Sequence, residues 1–322
     1  MKVCVIGAGA IGGWMAGLLA DAGNDVSLLA RGETLAALKA DGLKVRRKGK
    51  DRAYRLSVSN DPADLGEQDA VIVAVKGQNV LAVAADAKAL LGKSGIVVPA
   101  VNGIPWWFFQ MPGVPQSGFA LSSVDPGGET ARAIACERVV GCVVHASAWT
   151  PQPGVVEVNG EDKLIFGEPG GAPSPRVEAF AAAFGKPALP VVVSDTIRSD
   201  IWLKLWGNMT MNPLSVLTGA TTLGMLSEPD VTALVREMML EMKRIGAKIG
   251  LPIPLMPEDR MAITRKLGDI KTSMLRDWEA GRALEIDPIL GVLSEIAKRV
   301  EEPAPFLHAV LGLLRLRAKN KN

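Results

Sequence analysis

Short apolar runs and longer amphipathic ones alternate along the first third of the chain. VCVI at 3–6, VSLLA at 26–30, AVIVAV at 70–75 and GIVVPAV at 95–101 are compact and rich in β-branched residues, as strands buried on both faces are. Between them, GAGAIGG opens a helical pattern that runs to about Ala22 and stops at Gly23-Asn24, and ETLAALKA and NVLAVAADAKALL read as further helices. LKVRR and YRLSV, around residues 43–58, alternate instead and predict a small hairpin. Strands alternating with helices imply an α/β domain with a parallel sheet.

From about residue 117 the texture changes to short β-rich runs, SGFALSSV, RVVGCVVHAS, GVVEV and KLIFG, separated by Pro and Gly turns. A helix near 174–185 and a strand PVVVS at 190–194 close this half. Helical patterns dominate afterwards, broken at Pro213, Pro229, Pro252–Pro257, Pro288 and Pro303–Pro305, and ATTLGML at 220–226 reads as a loop. The expected division is 1–194 and 195–322.

Composition narrows the function. The 322 residues are 48% apolar and 22% charged, the balance of a folded globular chain, and long enough for two domains of ordinary size. The net charge is +2, and the basic run RRKGK at 46–50 is short, so nucleic acid is not an expected partner. VCVIGAGAIGGWMAGLLA carries no charge but holds five glycines and divides into strand, turn and helix. It reads as folded structure rather than a signal or membrane span, which makes the cytoplasm the expected location. Two histidines and three cysteines without ligand spacing exclude a histidine-built zinc site, and no metal is expected. The single tyrosine, Tyr54, has Val58 four residues on, so the Tyr-Lys pair of short-chain reductases is missing. An enzymatic acid is then a lysine or a carboxylic acid.

Two constellations carry chemistry. Gly7, Ala8, Gly9, Ala10, Ile11 and Gly12 satisfy G-x-G-x-x-G between a strand and a helix, with another strand by residue 26, the context of a dinucleotide site. The second strand ends in Ala30-Arg31-Gly32, without the acid that holds an NAD ribose; Arg31 suits a 2′-phosphate and favours NADP(H). Lys76 follows the AVIVAV strand and can add a second cation, although either residue can equally be a solvated surface charge. Asn102, in VNGIPWWFF, stands at the same sheet edge, where it either touches cofactor and substrate or caps a turn; Trp106 and Trp107 read more readily as packing. The second constellation is KLWGNMTMNPLS at 204–215. On a helix Lys204, Asn208 and Asn212 share a sector of about 80° beside an apolar face of Trp202, Leu205, Trp206 and Met209. Such a stripe faces either solvent or a cavity, and Pro213 would kink the helix at its end. A lysine beside a ketone can donate the proton that the nascent alkoxide needs, while asparagines orient a small polar substrate.

Together with AVK at 74–76, VNG at 101–103 and SMLRDWEAGRALEID at 273–287, these segments make the sequence resemble the ketopantoate reductase (2-dehydropantoate 2-reductase) family along nearly its whole length. The resemblance implies an N-terminal Rossmann-type domain followed by an all-helical domain like that of 6-phosphogluconate dehydrogenase, with the active site in the cleft between them. It implies NADPH-dependent reduction of a 2-keto acid, with Lys204 as general acid and Asn208 and Asn212 holding substrate. Ser273 would contact the substrate carboxylate, Glu285 would bind a hydroxyl, Asn102 would sit between nicotinamide and substrate, and Arg31 and Lys76 would grip the 2′-phosphate. Taken alone, Ser273 reads as a helix cap and Glu285 as an exposed helix-end carboxylate. The aromatic VNGIPWWFF segment leaves open a reductase of another 2-keto acid. A non-catalytic NADP-binding regulator and a β-hydroxyacid dehydrogenase are the other readings, and the helical part offers a surface for a homodimer, as many helical domains do.

Overall fold

The computed structural model describes residues 1–47, 49–187 and 189–320; Lys48 of the basic run and the last two residues of the helical half lie outside them. The chain forms two compact units, one of Met1–Val101 with Gly128–Asp200, the other of Asn102–Gly127 with Ile201–Asn322. Where the sequence suggests one boundary near 194, the chain thus leaves the first unit after Val101, returns at Gly128 and leaves again after Asp200.

The first unit opens with β1 (Lys2–Ile6), α1 (Ala10–Asp21), β2 (Asp25–Leu29) and α2 (Gly32–Asp41). The expected hairpin follows, but its arms are β3 (Leu43–Arg47) and β4 (Lys50–Tyr54), paired antiparallel. YRLSV is split: Tyr54 ends β4, and β5 (Ser57–Ser59) joins β2 in parallel. Next come β6 (Gln68–Val73), α3 (Ala84–Leu90) and β7 (Leu91–Pro99), with two 3-10 turns replacing the first half of the helix expected from residue 79. The parallel sheet has the order β5-β2-β1-β6-β7, the mononucleotide-binding half of a doubly wound fold. After α4 (Glu129–Ala133) come β8 (Gly141–Gln152), β9 (Val155–Gly167), α5 (Pro175–Ala182) and β10 (Val191–Ser194). GVVEV and KLIFG are therefore one long strand. β9 pairs with β8 along one edge and with β3 and then β10 along the other.

This second sheet explains the uncharged N-terminal run. A Cβ on Gly12 would meet Val5 and Ala74 of the parallel sheet, while one on Gly13 or Gly17 would meet Val156, Leu43 or Val45 of the other sheet. Helix α1 is covered on both sides, buries every residue from Gly12 to Leu19, and so is apolar all round without crossing a membrane. Among the described residues no helix is long and apolar enough to cross one.

The second unit is helical. Helix α6 (Ile197–Thr218) runs on through Pro213 without the expected break, and ATTLGML is no loop but mostly α7 (Thr222–Ser227), whose first turn Thr221 caps. Then come α8 (Pro229–Lys248), α9 (Pro257–Lys266), α10 (Ser273–Glu279), a π-turn at Asp287–Gly291, α11 (Val292–Arg299) and α12 (Pro305–Lys319). SGFALSSV forms turns rather than strand, and the 102–127 segment packs into this unit. Its Phe108 stacks on Trp202 of α6 with ring centroids 6.4 Å apart. Trp106 and Trp107 are 3% and 1% exposed with indole N–H groups that find no acceptor, so both are core residues. Buried Glu241 of α8 accepts the N–H groups of Phe306 and Leu307 at 2.9 and 2.8 Å, capping α12 from outside its own helix.

Candidate functional site

In the first unit the glycine turn joins β1 to α1. Gly7 has φ +95°, and a Cβ there would press on Ala74 O and Val75 Cγ1, both at 2.9 Å. A Cβ on Gly12 would fall 2.0 Å from Gly7 O. Protein packing therefore demands both of these glycines. It does not demand Gly9, whose Cβ would meet no protein atom within 4 Å; this residue precedes the first turn of α1, which no side chain caps. The arrangement fits an anion such as a pyrophosphate, brought close to the backbone N–H groups of Ala10, Ile11 and their neighbours with Ala8 in the turn.

Arg31 lies two residues past the end of β2 and immediately precedes α2, while Lys76 follows β6 at the same edge of the sheet. Arg31 pairs with Asp86 of α3 at 2.7 Å, a partner that no motif in the chain announces. Its side chain is 62% exposed, so the pair contributes less than about 1 kcal/mol and is easily exchanged for another anion.

In the second unit Lys204, Asn102 and Glu285 come together from segments far apart in the chain. Lys204 Nζ donates to Asn102 Oδ1 at 2.8 Å, and Asn102 Nδ2 donates to Glu285 Oε2 across a longer 3.4 Å. An ammonium has only donors and a carboxylate only acceptors, so the two partners fix which way the carboxamide points. The loop bearing Asn102 is seated by its neighbours. Gly103 has φ +84°, a Cβ on it would lie 2.0 Å from Pro288 O, and the next residue, Ile104, donates its N–H to that same oxygen at 3.1 Å. The π-turn that starts two residues after Glu285 is thus the surface on which the Asn102 loop rests.

The stripe on α6 is only partly turned to solvent. Lys204 and Asn208 are half-buried and Asn212 is 5% exposed. No side-chain hydrogen bond occupies the carboxamides of Asn208 and Asn212 among the described residues. Ser273 is exposed at the start of α10, but Thr272, not Ser273, is the cap, accepting the Leu275 N–H at 3.1 Å. That corrects the capping reading and leaves the Ser273 hydroxyl available. Sequence reasoning missed Asp86 and Thr272; neither stands in a motif, and only the folded chain brings them to their partners.

Comparison with known proteins agrees with this fold. The family model for ketopantoate reductase PanE/ApbA matches residues 3–105, and that for the ketopantoate reductase C-terminal domain matches residues 196–318. The chain belongs to the ketopantoate reductase family. A 2-dehydropantoate 2-reductase of Mesorhizobium japonicum is 39% identical over 98% of this chain and 97% of its own length. A Ralstonia solanacearum structure assigned to ketopantoate reductase superposes with a TM-score of 0.95 at 46% identity, covering 99% of this chain and 98% of the other. A Ralstonia eutropha family structure gives 0.84 at 27% identity, covering 99% of each chain. Ketopantoate reductases are dinucleotide-binding oxidoreductases that act on 2-keto acids, and the glycine turn of this chain suits the first of those properties.

Proposed function

We propose that this protein reduces 2-dehydropantoate to pantoate with NADPH. The observation that carries the reading is the Lys204–Asn102–Glu285 chain of hydrogen bonds, an ammonium held by a neutral acceptor that is itself held by a carboxylate. A bound NADPH supplies the hydride to the substrate's carbonyl carbon. Lys204 Nζ gives its proton to the carbonyl oxygen as negative charge develops there, then regains one from water. Asn102 keeps the ammonium in one orientation, so little reorganisation is needed at the moment of transfer. Glu285 accepts a substrate hydroxyl, and Asn208, Asn212 and Ser273 supply the neutral contacts that orient a small polar acid. Arg31 exchanges Asp86 for the 2′-phosphate, with Lys76 as a second cation, while Gly7 to Gly12 take the pyrophosphate.

The tryptophan pair gives no ground for a different 2-keto acid, since both rings are packed in the core of the second unit. A regulator without catalysis would have no use for an oriented ammonium. Work in the cytoplasm and as a homodimer belongs to the same proposal; α12 leaves Leu313 and Leu316 exposed, one turn apart, as a second copy would cover. The test is reduced-nicotinamide oxidation with 2-dehydropantoate beside a panel of 2-keto acids, for the wild type and Lys204→Ala. Turnover is expected on 2-dehydropantoate, lowered about 10²-fold or more in the variant with NADPH affinity kept. Activity confined to another keto acid, or a fully active variant, would overturn the reading.

A further inference from the structure

Helix α6 has a second polar neighbour that none of the motifs above includes. Arg260 of α9 lies against Gly207, and a Cβ on that glycine would fall 2.2 Å from Arg260 Nη2 and 2.8 Å from Cζ. Gly207 is thus kept small so that a guanidinium can lie on the helix backbone. With about 100° between successive residues, Gly207 stands about 60° from Lys204, on the flank away from Asn208. In the turns around this sector α6 leaves Leu203 exposed and Lys204 and Asn208 half-buried, whereas Gly207 is buried and Trp202, Leu205, Trp206 and Met209 face the core. Arg260 therefore borders the same open face as the lysine.

Its own pairing is incomplete. Arg260 Nη1 donates to Thr264 Oγ1 at 3.0 Å, and no carboxylate pairs with the guanidinium among the described residues. Burial pulls its pKa below the ordinary arginine value, and no acid opposes that pull. A cation withdrawn from water is retained where an anion completes it, and a planar guanidinium is matched to a carboxylate, which it can bind through two parallel N–H groups. The substrate class already assigned to this face carries such a carboxylate, bonded directly to the carbonyl carbon that Lys204 addresses.

We propose that Arg260 anchors the carboxylate of the 2-keto acid and sets the enzyme's preference for an acid over a neutral ketone. The inference rests on the reading of Lys204 as the proton donor to such a substrate. It distributes the work around α6: Lys204 meets the carbonyl oxygen, Asn208 and Asn212 hold one flank of the substrate, and Arg260 supplies at the carboxylate the charge that the neutral Ser273 hydroxyl lacks.

The experiment compares 2-dehydropantoate with its primary carboxamide in the wild type, Arg260→Gln, Arg260→Lys and Gly207→Ala, with folding checked by melting temperature. The wild type is expected to favour the acid strongly. Arg260→Gln should raise KM for the acid on the order of 10- to 100-fold, change kcat by less than about threefold, leave NADPH affinity unaltered and leave turnover of the amide nearly the same. Arg260→Lys should recover part of the loss. Gly207→Ala, which keeps the cation but pushes it off the helix, should reproduce the KM effect even if Arg260→Gln folds poorly. A merely structural arginine would weaken acid and amide alike, and that result, or an unchanged acid preference in both Arg260→Gln and Gly207→Ala, overturns the proposal. Absence of wild-type turnover on every keto acid is the distinct failure of the underlying functional reading.

Discussion

At the scale of single residues, the chemistry depends on where charges find their partners. Lys204 donates to the neutral Asn102 carboxamide, which in turn donates to Glu285, so the ammonium is oriented toward the position where it can give up its proton. Arg31 is the opposite case, a mostly exposed cation with a carboxylate partner that costs little to replace. Arg31→Ala should therefore weaken NADPH binding by roughly tenfold or more while NADH binding changes little, because only NADPH carries the 2′-phosphate. Fluorescence titration of both cofactors checks this, and an equal loss for the two would remove the phosphate contact. These residues differ in how far the sequence reveals them. Lys204, Asn208 and Asn212 stand out because polar residues interrupt an apolar helical face at helical spacing. Asp86 does not, since nothing local distinguishes it from any other solvated acid on a short helix.

Among the elements, the loop from Asn102 to Ile104 positions the acid, and it does so by contact with the Asp287–Gly291 π-turn. Gly103→Ala forces an L side chain into positive φ and into Pro288 O, so the loop must lift from the turn. The variant is expected to lose at least about 2 kcal/mol of stability and about tenfold in kcat as Asn102 withdraws from Lys204, measured by thermal melts and steady-state kinetics. A variant with wild-type melting and kcat would show that the loop's seat is dispensable. Compact apolar runs and the helical pattern located β1, β2, β6, the second half of β7 and α1 because those stretches are largely buried and carry strong apolar signals. They misplaced the second arm of the hairpin. KDRAY is mostly exposed, so its polar composition hides a strand, while the apolar end of YRLSV belongs to a different sheet. Pro213 was a poor guide for a related reason: burial around α6 holds the helix together where local propensity alone would end it.

On the scale of the whole molecule, the chain path decides what can fold by itself. The 102–127 segment lies far from the helical half in sequence, yet it contributes Ile104, Trp106, Trp107, Phe108 and Phe109 to that unit's core. A fragment of residues 195–322, cut where composition changes, should therefore fail to fold cooperatively, and circular dichroism with calorimetry would show a broad or absent transition. A sharp transition in the isolated fragment would contradict the division described above. The aromatic run was visible in the sequence, but its destination was not, because apolar composition states that a segment is buried without stating against what. The same burial gives the molecule an optical property. Of its seven tryptophans, Trp106, Trp107 and Trp202 keep indole N–H groups inside the helical unit without a hydrogen-bond acceptor. Excited indoles relax little in such dry surroundings, so the short-wavelength edge of the intrinsic emission is a native reporter on the unit that bears the acid, with no label needed.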